Sequence, residues 1–310
     1  MKSSLVIGSR GSKLALTQAE WVRTRLADLQ PTYDIRIEIL KTSGDVQTAP
    51  LAAIGGKGVF TKELEDALLD NRIDIAVHSL KDLPTIVPSE LTLAAICERE
   101  DPRDALVLAA SIEISNLSFA ELPADSVIGT SSPRRLAQLK HLRRDLQVKD
   151  LRGNVDTRLR KLDEGQYYAL ILAAAGLRRL DLQHRISAAL PPETMLPAVG
   201  QGALGIETRL ADENTIALVK KLDHEKTRLA CTAERALLRS LGGGCQLPIA
   251  AHAVVEGNEL RLDGLVASTD GSQIVRDQMS GPTVEAKRIG EQLAELLQRK
   301  GAAQLLGATN

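Results

Sequence analysis

Strand-like and helix-like apolar patterns alternate along the first half of the chain, and this alternation restricts the fold more than any other feature. Residues 5–7 read as a short strand and 13–29 as a helix stopped by Pro31. Ile35, Ile37 and Ile39 alternate with Arg36 and Glu38, the period of a half-buried strand. Residues 61–70 then read as a helix and 73–80 as a strand. After the charged stretch 98–104 the rhythm resumes, with strands near 105–108, 127–129, 147–151 and 169–172 and helices near 133–144 and 155–163. This βαβα order predicts two α/β units with a boundary near residue 100. The segment LPPETMLP at 190–197 suits no regular element, and the strand-like GALGIETR after it is expected to cross back to the first unit. From residue 213 the pattern changes to two helices, to Asp223 and to Ser240. Hairpin-like strands around Glu256-Gly257-Asn258 and Asp270-Gly271 follow, then a helix near 284–299. The expected domains are 1–99 with 198–212, 100–197, and an α+β domain over 213–310.

The chain has 310 residues, more than one hydrophobic core comfortably serves, which agrees with several domains. With 44% apolar and 25% charged residues, 39 Lys+Arg against 40 Asp+Glu, it reads as a soluble globular protein of near-zero net charge. That balance excludes a disordered chain and a generally basic nucleic-acid binder, and 2% aromatics leave few platforms for stacking bases. The longest apolar run, 169–175, falls far short of the roughly 20 residues that span a bilayer. Three cysteines, Cys97, Cys231 and Cys245, supply neither a disulfide framework nor a CxxC pair. A cytoplasmic location is expected, with no membrane or nucleic-acid partner.

Charge is uneven along the chain: residues 130–179 carry twelve Lys/Arg against five Asp/Glu, a local excess of seven positive charges. The arginines follow a pattern. Arg10 follows the first strand, Arg134 and Arg135 open a helix after 127–129, Arg152 and Arg158 flank the turn at Gly153-Asn154, and Arg178-Arg179 follow 169–172. Guanidinium is the fork-shaped donor suited to carboxylates, and helix starts at Ser12 and Ser132 add backbone N–H groups for the same anions. The pattern points to a ligand carrying several carboxylates. Asp82 emerges with Lys81 from the apolar strand before it, in HSLKDLP, where open α/β sheets place their ligands. Cys245, in LGGGCQLPI, sits on a glycine-rich loop that leaves its sulfur unshielded, whereas Cys97 and Cys231 read as packing thiols.

Other motifs fail on context. GQGALG at 200–205 is preceded by Pro197 where a strand should end and followed by Ile206-Glu207-Thr208 where a helix should begin. GGKG at 55–58 lacks the Ser/Thr and the earlier glycine of a phosphate loop, leaving a lid, an anion-contacting loop or a plain turn. The five histidines show no metal-ligand spacing, so no metal is expected, and His78 within IAVHSL reads as a satisfied core histidine.

Taken together, Arg10-Gly11-Ser12, GGKGVFTKELE, DIAVHSLKDLP, CEREDPRDA, GTSSPRR, LRGNVDTRL, AAAGLRRL, LPAVGQGALGIE and GGGCQLPIA run in order through nearly the whole chain and resemble the porphobilinogen deaminase (hydroxymethylbilane synthase) family. The resemblance implies two periplasmic-binding-protein-like α/β domains with the active site in a cleft between them, plus a small α+β domain bearing the cofactor cysteine. It implies condensation of four porphobilinogens, with loss of ammonia through an electrophilic azafulvene, on a dipyrromethane cofactor joined by a thioether to Cys245. Asp82 matches the family's catalytic aspartate. Lys81, Arg134, Arg135, Arg158 and Ser132 match positions that hold the cofactor, and Arg10, Ser12, Arg152 and Arg179 match positions that hold substrate. A monomer is implied. A non-catalytic solute-binding protein would share the two-lobed architecture but has no use for a reactive Cys245, and a cysteine hydrolase would want a histidine partner that no motif supplies.

Overall fold

The structure is a computed structural model that describes residues 4–42, 61–110, 112, 119–244 and 247–307. Cys245 and the 55–58 loop therefore lie outside the described residues.

The first strands are β1 (Ser4–Arg10), β2 (Asp34–Leu40), β3 (Ile75–Ser79) and β4 (Leu91–Ile96), interleaved with helices α1 (Lys13–Leu29) and α2 (Lys62–Leu69). Next come β5 (Asp104–Leu108), β6 (Val127–Gly129), α3 (Pro133–Leu142), β7 (Gln147–Lys149), α4 (Val155–Asp163), β8 (Ala169–Ala173), α5 (Ala174–Arg179) and β9 (Ala188–Leu190). β10 (Leu204–Arg209), α6 (Glu213–Val219) and α7 (Glu225–Ser240) lead to a meander of β11 (Ile249–Glu256), β12 (Glu259–Ala267) and β13 (Ile274–Pro282). Helices α8 (Ala286–Leu297) and α9 (Ala303–Gly307) follow.

These elements form two units: 1–100 with 203–228, and 101–202 with 229–310. The sheet of the first unit has the order β2-β1-β3-β10-β4, and the α/β sheet of the second has the order β7-β6-β8-β5-β9. The two orders repeat one plan. Three parallel strands are followed by an antiparallel fourth, β10 or β5, and by a fifth antiparallel to it. As expected from the sequence, β10 returns to the first unit, pairing with β3 and β4.

Both sheets are covered on two faces, which explains why their inner strands are apolar without alternation. In the first unit Leu5, Ile7, Val77 and Ile206 meet Ala19, Val22 and Leu26 of α1, while Ile73, Ala76 and Leu40 meet Leu64 and Leu68 of α2. In the second, Leu106 and Leu108 of β5 join Leu139 of α3, while Ala105 and Val107 turn to Leu159 and Leu162 of α4. The three-stranded meander covers α7 and α8 with Leu260 and Leu262 against Leu237, Leu293 and Leu297. The helices cross closely at Gly290, where an added Cβ would stand 2.2 Å from the Ala233 carbonyl oxygen. The expected hairpin at Glu256 is present: Glu256 pairs with Glu259 around Gly257-Asn258, with Gly257 at φ +59°. The class is thus α/β with a smaller C-terminal α+β part.

Local differences from the sequence reading have simple causes. The strand expected over 73–80 is β3 alone, and Leu80–Asp82 closes into one 3-10 turn. β4, β9 and α5 were not expected. Three-residue β9 is too short to show a period, and the alanines that continue the apolar run of β8 turn into α5, alanine being the strongest helix former.

Candidate functional site

In each α/β sheet, parallel strands deliver their carboxyl ends to one edge, the usual ligand side of such sheets. At that edge of the first sheet Arg10 is the last residue of β1, and Ser12 caps α1 by accepting the Ala15 N–H at 3.3 Å. Lys81 and Asp82 lie in the 3-10 turn that follows β3. All four are half-buried. Arg10, Ser12 and Asp82 line one pocket together with Gln18, His78 and Ser79. The side chains of Gln18 and Ser79 bond each other at 3.0 and 3.2 Å. His78 is buried as expected, its Nε2 lying 3.0 Å from Oε2 of the fully buried Glu207. A groove between α1 and β2, lined by Leu16, Thr17, Glu20, Ile37 and Ile39, presents no cation among the described residues to an anionic ligand.

The second unit brings its arginines to the corresponding edge. Ser132 caps α3, accepting the Arg135 N–H at 3.4 Å, with Pro133 in the first turn where its missing N–H costs nothing. Arg152 follows β7, and its Nε donates to Asp150 Oδ2 at 2.9 Å. The Asp150 carboxyl, which burial would push up, is held below the usual carboxylate range by bonds to Ser131 and Arg152 and by the charges of Arg152 and Arg158. Arg158, near the start of α4, donates from Nε to the Gly153 carbonyl oxygen at 2.7 Å. Gly153 has φ +108°, and a Cβ there would fall 2.7 Å from Thr157, so this turn requires glycine. Arg179 ends α5 and donates to the Gly202 carbonyl oxygen at 2.7 Å. Arg152, Arg158 and Arg179 are half-buried.

Arg134 and Arg135 depart from a picture of arginines projecting freely into a cleft. They are 4% and 6% exposed and turn inward onto Asp104, which is wholly buried. Arg134 Nη1 donates to Asp104 Oδ2 at 2.7 Å, while Arg135 donates from Nε and Nη2 to Oδ1 at 3.0 and 2.7 Å. Burial alone would push the Asp104 carboxyl up; the two guanidiniums outweigh it and hold the group far below the usual range. Two guanidiniums against one carboxylate leave a buried positive excess, and Arg134 Nε has no partner among the described residues. A donor set one anion short suits a further carboxylate, the group that a dipyrromethane carries on each ring. Sequence reasoning missed Asp104, Gln201 and Glu207. For Asp104 and Glu207 the available signal was an acid within a largely apolar strand segment, DALVL and LGIETR, whereas nothing local marked Gln201.

Among the described residues no cluster of three or more His, Cys, Asp or Glu is arranged to hold a metal ion, and no helix is long and apolar enough to cross a membrane.

Comparison with known proteins gives two family matches. Residues 5–217 match the model described as porphobilinogen deaminase, dipyromethane cofactor binding domain, and residues 228–299 match porphobilinogen deaminase, C-terminal domain. The chain is 54% identical over 305 residues to the porphobilinogen deaminase of Synechococcus sp. (strain RCC307), covering 98% of this chain and 96% of that one. It is 54% identical over 305 residues to the porphobilinogen deaminase of Nitrosomonas europaea, covering 98% and 97%. Among solved structures, the periplasmic aliphatic sulphonate binding protein SsuA from Escherichia coli is similar at 15% identity and a TM-score of 0.40, over 77% of this chain and 71% of that one. By family matches that take in both of its parts, and by identity above one half over nearly its full length, the chain belongs to the porphobilinogen deaminase family.

Proposed function

We propose that this chain condenses four porphobilinogen molecules head to tail into hydroxymethylbilane, releasing ammonia, on a dipyrromethane attached through Cys245. The observation that carries the reading is the pocket of the first unit, in which Asp82 shares one lining with Arg10 and the capped start of α1. Porphobilinogen presents a pyrrole N–H and an aminomethyl cation alongside two carboxylates. A carboxylate complements the first two groups, and a guanidinium with helix N–H donors complements the last.

Asp82 is the catalytic group in this reading: its negative charge stabilises positive charge on a pyrrole nitrogen as the bond to ammonia breaks, and its oxygens accept the pyrrole N–H. Arg10, Ser12, Arg152 and Arg179 bind the carboxylates of incoming substrate. Lys81, Ser132, Arg134, Arg135 and Arg158 hold those of the dipyrromethane, and the buried positive excess around Asp104 supports the assignment of Arg134 and Arg135. When bound, the dipyrromethane supplies the nucleophilic pyrrole carbon that primes the chain. The enzyme works as a cytoplasmic monomer without nucleic-acid or membrane partners; the formal net charge of -1 supports only the absence of a generally basic, nucleic-acid-binding surface. The cofactor cysteine belongs to a C-terminal domain over 213–310, after domains over 1–99 with 198–212 and over 100–197.

The test is intact mass. Purified active protein should exceed its sequence mass by one dipyrromethane, and Cys245→Ala should lose both the excess and the activity, while Cys97→Ala and Cys231→Ala keep both. A fully active wild-type protein of unmodified mass would overturn the assignment.

A further inference from the structure

We propose that Asp104 is the positioning residue for Arg134 and Arg135, one buried carboxylate that locks both guanidiniums in place while leaving their combined charge incompletely neutralised. The inference rests on the functional reading above, in which these two arginines hold the carboxylates of the dipyrromethane.

Topology puts Asp104 where it can act. β6, β7 and β8 run parallel and finish at the arginine edge, whereas β5 runs antiparallel to β8 and begins there, with Asp104 opposite Ala173. The first residue of the reversed strand is therefore a place from which β5 can offer an acid to Arg134 and Arg135, which follow β6 on the far side of β8.

The bonding is divided between the two oxygens. Oδ2 accepts from Arg134 Nη1 at 2.7 Å; Oδ1 accepts from Arg135 Nε and Nη2 at 3.0 and 2.7 Å and from Gln201 Nε2 at 2.9 Å. Each guanidinium is also tied to the backbone, Arg134 Nη1 to the Leu196 carbonyl oxygen at 2.7 Å and Arg135 Nη1 to that of Ile171 at 2.9 Å. Gln201 in turn donates to the Pro102 carbonyl oxygen at 2.7 Å, which anchors it beside the acid. Both arginines are thus held from two sides before any ligand arrives.

Stability alone does not account for this arrangement. Three charged groups buried together cost more to desolvate than apolar side chains of similar volume. What the cluster gains is preorganisation: the arginines need no ordering when a carboxylate arrives, and the residual positive charge attracts one. Asp104 is itself an anion engaged on both oxygens, so it acts through the arginines.

Cofactor assembly reads this out directly. Apoprotein is incubated with porphobilinogen, and the gain of one dipyrromethane is followed by intact mass against time and concentration, with the folded fraction taken from melting curves. Asp104→Asn, scaled to folded protein, should load more slowly by on the order of 100-fold, the loss typical of a displaced binding group. Its half-saturating porphobilinogen concentration should also rise, whereas a purely structural defect lowers only the amplitude. Asp104→Glu retains the charge but moves the carboxylate, so it should fold and still load slowly; it decides the matter alone if Asp104→Asn does not fold. Gln201→Leu should show a smaller effect in the same direction. Loading by folded Asp104→Glu at the wild-type rate and half-saturation would overturn the positioning role and leave the functional reading intact. A wild-type protein that never gains the mass overturns both.

Discussion

Nε2 of His78 stands 3.0 Å from Oε2 of Glu207, a contact between adjacent antiparallel strands in the interior of the first unit. Glu207 lies on β10, the strand that returns after the second unit, at a point where its pairing with β4 shifts register. The other Glu207 oxygen is buried with no partner among the described residues, so His78 is the main compensation for this acid. Removing either side chain strands a buried polar group, at a cost of about 3–5 kcal/mol, whereas removing both together is far milder. The double variant His78→Leu/Glu207→Leu should therefore lower the melting temperature by clearly less than the sum of the two single-variant shifts. Strictly additive melting shifts would show that the two side chains are uncoupled.

Asp82→Asn keeps the shape of the side chain and removes its charge. If the carboxylate stabilises cationic pyrrole, turnover should fall by on the order of 10²–10³. Protein already carrying the cofactor should keep its added mass, which separates loss of chemistry from loss of binding. Near wild-type turnover in this variant would remove Asp82 from the mechanism.

Acid stability should report Asp104. Its carboxyl is held below the usual range in the folded chain, while in the unfolded chain it takes a proton near the ordinary aspartate value of about 3.9. The stability tied to it is complete above that value and is lost as the pH falls below it, because the unfolded chain then binds more protons. Asp101, held low mainly by its bond to Arg103, contributes with the same sign. Melting temperatures measured from roughly pH 5 downward should therefore fall steeply for the wild type and less steeply for Asp104→Asn; parallel slopes would exclude Asp104 as a source of the acid limb.

Much of the fold was legible because its signals are local. The 13–29 helix, capped by Ser12, and the crossing strand GALGIETR both depend on neighbouring residues. The chemistry around Asp104 was not legible for the opposite reason. Its partners Arg134, Arg135 and Gln201 lie 30, 31 and 97 residues away, and only the reversed direction of β5 brings them together. In sequence, Arg134 and Arg135 look like Arg152, each following a strand. Folding separates them, burying the first two on an internal acid and leaving Arg152 half-exposed beside Asp150.

The same distinction yields a comparison within a single helix. Arg158 and Arg160 are two residues apart on α4, yet Arg158 bends back to the Gly153 carbonyl oxygen, while Arg160, its side chain 63% exposed, pairs with Glu164 one turn on. Arg143 makes a poor surface control, since it donates to the carbonyl oxygens of Ala120 and Leu122, both at 2.9 Å, besides pairing with Asp145. A charged hydrogen bond to a ligand carboxylate is worth about 1.5–3 kcal/mol, against about 0–1 kcal/mol for an exposed pair. Arg152→Leu and Arg158→Leu should thus weaken cofactor loading or raise KM by roughly 10- to 100-fold, and Arg160→Leu should leave both nearly unchanged. Melting curves separate the outcomes, because a packing defect lowers stability in proportion to activity whereas loss of a ligand contact does not. If Arg158→Leu and Arg160→Leu behave alike in loading and KM, the position of Arg158 beside the glycine turn carries no binding role, and the positive excess of this segment belongs to solvated surface.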